Sequence, residues 1–238
     1  VGAGRGANRG AGVSVDPVAA VILSIEVATA STALSAIPAI AVGRWLAGHD
    51  GWARSVVSAV VLVPLVLPPV VTGLVLLDLF GRRGPLGAAL ASVGIHVTFS
   101  WVGAVIAATV VGFPLYVVSI RQAFEAIDPR YAEVAATLGD PPWTAFRRVS
   151  LPLAAPGIAA GAVLAFARAL GEFGATVVLA GNVEGRTRTI ALAVYALLDA
   201  PGSDPAVSWL VGASVVLALG SLLAYEALVR RQRRWRDG

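Results

Sequence analysis

The chain has 238 residues, of which 57% are hydrophobic and 13% are charged, and its formal net charge is +4. Because soluble domains carry about a quarter charged residues, this composition excludes a soluble protein and predicts one integral membrane domain. The absence of cysteine excludes disulfides and thiolate metal sites, and the absence of lysine excludes the P-loop that would bind ATP within this chain.

The hydrophobic pattern predicts an all-α protein with about five transmembrane helices, each long enough to cross roughly 30 Å of hydrocarbon. We expect a flexible tail over residues 1–15, a transmembrane domain over 16–229 and a basic cytoplasmic tail over 230–238. A further apolar piece, 84–97, is interrupted by glycine and proline, which predicts a short interfacial or re-entrant segment. The predicted spans are 17–42, the stretch between residues 54 and 78, 99–120, 153–180 and the stretch between residues 204 and 226.

Prolines interrupt the second and third predicted spans. Pro64, Pro68 and Pro69 lie in the second span and Pro114 lies in the third. Proline removes a backbone donor and kinks a helix, and the carbonyls that it frees can line a pathway or form a hinge. The alternative is a static kink that the neighbouring helices accommodate.

The longest amphiphilic stretch between spans, 128–152, predicts two short helices joined by a sharp turn. Asp128 is placed to N-cap the first helix, with Pro129 at the first helical position. Gly139 is placed where that helix must end in a left-handed conformation. A fixed shape of this kind between membrane spans predicts a docking element.

The second short helix of this stretch has its own start and stop signals. Asp140 is placed to cap it, Arg147 and Arg148 fall in its last turn, and Pro152 is expected to end it. The outline of the two helices is also that of a DNA-binding helix-turn-helix. The membrane spans on both sides argue against that alternative and against a nucleic-acid partner.

The fourth predicted span contains two charged residues, Arg168 and Glu172, four positions apart and therefore on one helix face. Charges inside a membrane are costly and are usually functional or paired. The pair could line a pathway or form a gate. An internal ion pair that neutralises itself and fixes helix packing is the other interpretation.

The distribution of arginine predicts the orientation of the chain in the cell membrane. An odd number of spans places the two termini on opposite sides, with residue Glu133 on the side of the C-terminus. That side carries most of the arginines, and the side richer in basic residues is usually cytoplasmic. We therefore expect the N-terminus outside, and both the C-terminus and the 128–152 stretch in the cytoplasm.

The spacing within 128–152 resembles the EAA loop of ABC-importer permeases. That pattern is Glu-Ala-Ala, three residues, Gly, nine residues, Ile, one residue and Leu-Pro. Every gap matches, with Val134 in place of the middle Ala and Val149 in place of Ile. The resemblance implies the ABC-importer permease fold, with this stretch, here called the coupling segment, as the cytoplasmic coupling helix that docks on an ATPase. The matching positions are Glu133, Ala135, Gly139, Val149, Leu151 and Pro152.

Longer stretches resemble the molybdate branch of these permeases. Residues 66–87, 99–115 and 166–202 look like the molybdate permease subunit, although the ALGEFG segment is shared with sulfate and thiosulfate permeases. GRRG at 81–84 and GRTRT at 185–189 point to molybdate. The resemblance implies a homodimer, cytoplasmic ATPase subunits that bind ATP and magnesium, and an extracytoplasmic molybdate-binding protein. The residues themselves show no metal constellation and no nucleophile–base arrangement, so we expect no cofactor, metal site or catalytic residue in this chain.

Several alternatives remain open at the level of the sequence. Tungstate differs little from molybdate in size and charge, and a sulfate or thiosulfate permease would share much of the pattern. A secondary transporter could use Glu172 as a proton relay, and a membrane scaffold would transport nothing. Of these classes only the ABC importer accounts for the spacing from Glu133 to Pro152.

Overall fold

The computed structural model describes residues 15–198 and 204–234, so the predicted N-terminal tail and the end of the basic tail lie almost wholly outside the described residues. Within these ranges the chain forms helices and no β-strand, which confirms the all-α prediction. The helices are α1 (Pro17–Ala47), α2 (Trp52–Val66), α3 (Pro69–Phe80), α4 (Pro85–Ser92), α5 (Trp101–Glu125), α6 (Arg130–Thr137), α7 (Pro142–Ala145), a π-turn (Phe146–Ser150), α8 (Leu151–Leu170), α9 (Gly174–Leu179), α10 (Ile190–Leu197) and α11 (Asp204–Arg234).

Four helical stretches in the described part of the chain are long and apolar enough to cross a membrane. They are α1, α5, the continuous stretch Pro142–Leu170 and most of α11. Helices α2 and α3 pass the same test only as a pair, which is bent by 111° at the break between them. Counted as one broken span, the pair brings the total to the five that the sequence predicts.

A local cap fixes where the first long helix begins. The Asp16 carboxylate accepts hydrogen bonds from the N–H groups of Val18 and Ala19, at 3.0 and 3.2 Å. Such a cap satisfies donors that have no partner within the helix, and Pro17 suits the first helical position. Helix α1 then runs to Ala47, beyond its predicted end.

The uninterrupted helices α1, α5 and α8 pack closely through small residues. A Cβ at Gly43 of α1 would lie 2.6 Å from Ile120 Cγ2 of α5, and a Cβ at Gly161 of α8 would lie 2.8 Å from Ser119 Cβ. Helices in membranes associate through such close packing because lipid provides no hydrophobic driving force between them. These three helices form the core against which α2, α3 and α9 pack.

The second span is broken where two consecutive prolines lie. Leu67 and Pro68 are extended, with ψ values of 141° and 133°, and Pro69 is the first residue of α3. A residue that precedes proline is driven from the helical to the extended region, so Pro68 and Pro69 together force the break. The predicted interruption is confirmed at Pro68 and Pro69, whereas α2 continues through Pro64 and α5 continues through Pro114.

The fourth span was predicted as one continuous helix over 153–180, and that prediction is wrong. Helix α8 ends before Gly171, and α9 begins at Gly174. Gly171 has a low helix propensity. The Glu172 carboxylate accepts a hydrogen bond from the Ala175 N–H at 2.8 Å, which favours a new helix start.

Candidate functional site

The first helix of the coupling segment, α6, ends in the left-handed turn that the sequence predicts. Gly139 has a φ of +83°. The N–H of Gly139 donates to the Ala136 carbonyl at 3.0 Å, and the N–H of Asp140 donates to the Ala135 carbonyl at 3.1 Å. These two hydrogen bonds are the Schellman motif, whose left-handed residue is usually glycine. The prediction for Gly139 is confirmed.

Of the two aspartates predicted to cap helices in this segment, only the first bonds to the start of its helix, and Pro129 rather than Asp128 takes the N-cap position of α6. Asp128 Oδ1 accepts a hydrogen bond from the Arg130 N–H at 2.9 Å. The prediction for Asp140 is wrong, because Pro141 takes the N-cap position of α7 and no side chain caps that helix. Pro141 and the following proline have no N–H to donate, so the Asp140 carboxylate lies instead 3.9 Å from Arg148 Nη1.

Pro152 does not end the second short helix, contrary to the prediction. Helix α7, the π-turn and α8 form one continuous stretch, Pro142–Leu170, with Pro152 in the first turn of α8. The N–H of Leu151 donates to the Phe146 carbonyl, five residues back. This wider hydrogen-bond spacing directly precedes the proline and accommodates its missing N–H and its ring within the continuous stretch. The coupling segment is therefore continuous with the fourth span.

The motif residues of the coupling segment divide into an inward set and an exposed set. The inward residues are buried or half-buried, with Leu151 packed against the core formed by α1, α5 and α8, and the exposed residues are free to contact another protein. The inward set is Ala135, Val149 and Leu151, and the exposed set is Glu133, Gly139 and Pro152.

The outer surface of the coupling segment carries large apolar side chains. Tyr131 and Val134 of α6 are more than half exposed, Leu138 directly after α6 is 79% exposed, and Trp143 of α7 is 65% exposed. On a segment that the sequence predicts to lie outside the membrane, a cluster of exposed apolar groups is typical of a protein interaction site. A small cavity of about 280 Å³ lies beside Trp143 and is bordered by two arginines of the π-turn.

The inner surface of the same segment is tied to the transmembrane core by aromatic contacts. The Phe146 ring lies 5.4 Å from the Trp143 ring and 6.1 Å from the Phe124 ring of α5. The guanidinium carbon of Arg44, on α1, lies 5.7 Å from the centre of the Phe124 ring. Phe146 therefore joins the exposed α7 to the ends of two transmembrane helices.

The predicted ion pair between Arg168 and Glu172 is confirmed, with Arg168 Nη1 2.9 Å from Glu172 Oε2. Glu172 lies in the break between α8 and α9, and its side chain is 2% exposed, against 28% for Arg168. Its other carboxylate oxygen holds the start of α9 through Ala175. The buried negative charge is thus compensated on both sides, as a charge in a membrane span requires.

The breaks of the second and fourth spans meet. A Cβ at Gly174, the first residue of α9, would lie 2.6 Å from Pro69 Cβ, the first residue of α3. One turn further on, a Cβ at Gly73 would lie 2.8 Å from Val178 Cβ. Two half-helices therefore start side by side at the breaks and pack closely from there. We call this place, with the Arg168–Glu172 pair, the break crossing.

The structure brings Pro69 and the Arg168–Glu172 pair to the break crossing, with Pro68 immediately before it, but it leaves Pro114 apart. Pro114 is buried on α5 between Gly112, which faces the Ala165 backbone, and Tyr116, which faces Gly161. It therefore belongs to the packing of α5 against α8.

Three residues at or beside the break crossing were missed at the level of the sequence. Thr72 of α3 is buried, and its hydroxyl has no hydrogen-bond partner among the described residues. The Phe173 ring, in the break, lies 5.2 Å from the ring of Tyr195 on α10. Thr72 could have been found as a polar residue within an apolar span. Phe173 and Tyr195 are far apart in the sequence, so no local pattern predicts their contact.

We expect neutralising one member of the ion pair to be worse than neutralising both. Arg168→Met leaves a buried carboxylate without its cation, which costs about 3 kcal/mol and lowers the unfolding midpoint by on the order of 5 °C or more. Arg168→Met combined with Glu172→Gln removes both charges and keeps an oxygen for the Ala175 N–H. Thermal unfolding of the purified variants should show this recovery, and a double variant as unstable as Arg168→Met would contradict it.

Residues 39–234 match the family described as the binding-protein-dependent transport system inner membrane component. The chain belongs to this family. Members are membrane components of transport systems, so the chain is a multi-pass inner-membrane transport subunit and not an enzyme. Among the described residues no group of His, Asp and Glu could hold a metal ion.

Relatives within the permease family are similar over most of the chain. The molybdenum transport system permease protein ModB of Haemophilus influenzae is 42% identical over 218 residues, which cover 91% of this chain and 95% of that protein. The sulfate transport system permease protein CysT of Escherichia coli is 36% identical over 167 residues, which cover 69% and 60%. The inward-facing MetNI methionine ABC transporter superposes with a TM-score of 0.69 at 18% identity, covering 90% of this chain and 95% of that one. The last likeness confirms the ABC-importer permease fold.

Proposed function

We propose that this chain is the permease subunit of an ATP-driven importer for molybdate, or for the similar dianion tungstate. The observation that carries the proposal is the 42% identity to a molybdenum permease over 91% of the chain. The sulfate permease is less similar and matches a shorter part of the chain. The proposed partners are a second copy of this chain, cytoplasmic ATPase subunits that bind ATP and magnesium, and an extracytoplasmic molybdate-binding protein.

The break crossing is proposed to line or gate the pathway. A dianion passes most easily where fixed charges neither repel nor trap it. Arg168 and Glu172 neutralise each other at 2.9 Å, and Arg168 remains partly exposed. Broken helices at the centre of transporters commonly form such sites, because their ends offer unpaired backbone groups. Selection among oxyanions then falls mainly to the binding protein.

The coupling segment is proposed to dock on the ATPase through its exposed apolar side chains and Glu133. The stretch Pro142–Leu170 contains 29 residues, so at 1.5 Å per residue it is a rod of about 43 Å. One end of the rod lies in the coupling segment and the other end reaches Arg168 at the break crossing. A displacement of the coupling segment is therefore carried to the break crossing through one helix, without an intervening loop.

The proposed orientation places the N-terminus outside and the coupling segment in the cytoplasm. The chain contains no cysteine, so single cysteines can report on it. Asp50→Cys and Arg186→Cys both introduce the thiol at an exposed position, in the α1–α2 and α9–α10 connections respectively. In intact cells an impermeant maleimide should label Arg186→Cys only, and permeabilised cells should label both. Labelling of Asp50→Cys alone in intact cells would show that the orientation is the opposite of the one proposed.

The experiment that tests the substrate is competition in uptake. Permease, ATPase and binding protein are reconstituted in vesicles, and uptake of labelled molybdate is measured with added sulfate or tungstate. We expect excess sulfate to have little effect and tungstate to compete at concentrations near those of molybdate. Strong inhibition by sulfate at equal concentration would move the chain to the sulfate permeases and would leave the fold and the ATP coupling intact.

A further inference from the structure

A half-open cavity of about 600 Å³ lies at the end of α3 that is remote from the break crossing, a size common among ligand pockets. Helix α4 and the chain that follows it form much of its wall. The lining is mostly apolar and contains two basic side chains and no acidic one. The residues that matter for its chemistry are Phe80, Arg82, Ala91, Ile95, His96 and Phe99.

The turn between α3 and α4 holds Arg82 at the cavity. The N–H of Gly84 donates to the Gly81 carbonyl at 2.9 Å, which closes a tight turn with Arg82 and Arg83 at its two central positions. A Cβ at Gly84 would overlap the carbonyls of Asp78 and Leu79, so this turn packs directly on the end of α3. Arg82 and Arg83 are both exposed, and neither has an ion-pair partner among the described residues. Only Arg82 lines the cavity.

The part of the cavity wall formed by Phe99 has an unusual backbone conformation. Phe99 has a φ of +54°, which is uncommon for a residue other than glycine. Its N–H donates to the Leu179 carbonyl at 3.1 Å, and a Cβ at Gly181 would lie 2.8 Å from its ring. Phe99 nevertheless remains 61% exposed. Conformations of this kind cost energy and persist where the surrounding structure enforces them, often at ligand sites.

We propose that this cavity binds the anionic headgroup of a membrane phospholipid. Arg82 presents an unpaired guanidinium, which suits a phosphate group. The apolar wall and the exposed side chains of α4 and the chain after it, including Leu86, Val93 and Ile95, suit the adjoining acyl chains. A free oxyanion would gain nothing from that wall. A short helix with exposed apolar residues is typical of the membrane interface, so this surface suits lipid better than a protein partner in water.

The test uses the complete complex of permease and ATPase, purified with equal amounts of phosphatidylglycerol and phosphatidylcholine. Native mass spectrometry counts the lipids retained by wild type, Arg82→Gln and the matched control Arg83→Gln, which removes the neighbouring charge outside the cavity. We expect wild type and Arg83→Gln to retain phosphatidylglycerol selectively. Arg82→Gln should lose about tenfold in retention, the size of one charge-assisted contact. Ala91→Trp, which fills the apolar wall without changing charge, should also lose it.

Several results would overturn the proposal. Equal loss in Arg82→Gln and Arg83→Gln would indicate diffuse surface charge, and undiminished retention in both Arg82→Gln and Ala91→Trp would place the lipid elsewhere. Displacement of the bound lipid by millimolar molybdate or phosphate would make the site one for a free oxyanion. Loss of binding-protein association in Arg82→Gln with lipid retention unchanged would make the turn a protein docking surface. If Arg82→Gln cannot be purified, lipid retention is measured in Arg82→Lys and Ala91→Trp instead, and the same outcomes are compared.

Discussion

Gly139→Val is expected to separate the permease from its ATPase while leaving a folded protein in the membrane. Gly139 has a φ of +83° and no atom lies within 4 Å of an added Cβ. The strain is therefore confined to the backbone, where a side chain in the left-handed region costs about 1–2 kcal/mol and a β-branched one is a clear outlier. Relief of that strain breaks the Schellman hydrogen bonds and redirects α6 relative to α7. Copurification of the ATPase, and ATP-driven uptake with it, should fall about tenfold or more.

The matched control for this prediction is Gly139→Asn. Asparagine tolerates the left-handed conformation, and the open space around Gly139 accepts its side chain. Gly139→Asn should retain most of the copurified ATPase. Equal loss in both variants would mean that the exposed side chain itself obstructs docking, and normal copurification of Gly139→Val would contradict a role for the turn.

Gly174→Ala is expected to reduce transport strongly without loss of the ATPase. The added Cβ would lie 2.6 Å from Pro69 Cβ and 3.2 Å from the Val70 nitrogen, so α3 and α9 must move apart. Overpacking of this kind costs typically about 1–3 kcal/mol. If the two half-helices line or gate the pathway, uptake should fall about tenfold. The coupling segment is untouched, so copurification with the ATPase should stay normal.

Gly171→Ala is the control for the break crossing, since it adds the same methyl three residues away. Its Cβ would meet nothing closer than the Arg168 carbonyl, at 4.0 Å. Uptake by Gly171→Ala should stay within a factor of about two of wild type. Equal losses in the two variants would show that helix propensity matters there and that the contact with Pro69 does not.

The local features of this fold follow from short patterns in the sequence. Gly139 was predictable as a left-handed C-cap, and Asp128 as a hydrogen-bond partner for the start of α6, because both effects act within a few residues. The break at Pro68 was predictable because two prolines remove adjacent donors. The errors in the predicted helix ends arose where the hydrogen bonding of a neighbouring turn changes the effect of a proline. Pro152 was expected to end a helix, but the π-turn before it places the proline at a tolerated position.

The break crossing could be predicted only in part. The Arg168–Glu172 pair follows from spacing alone. Its relation to Pro69 depends on how two spans with about 100 intervening residues pack, and periodicity in one sequence does not give that arrangement. Two interrupted hydrophobic segments in one membrane protein were the available signal, since such segments often meet at a transport site. The break after Leu170 could not be recognised in the sequence, because the largely apolar stretch continues past Leu170 to Ala180. The second of the two interrupted segments was therefore missed.

The measurement that most directly tests the central claim is the energy source of uptake. Vesicles containing the permease, the ATPase and the binding protein are given labelled molybdate with or without ATP on the ATPase side, and with the proton gradient intact or collapsed. We expect uptake to require both ATP and the ATPase and to be unaffected when the gradient is collapsed. Uptake by the permease alone, driven by a proton gradient and abolished by Glu172→Gln, would contradict the account and would make the chain a secondary transporter.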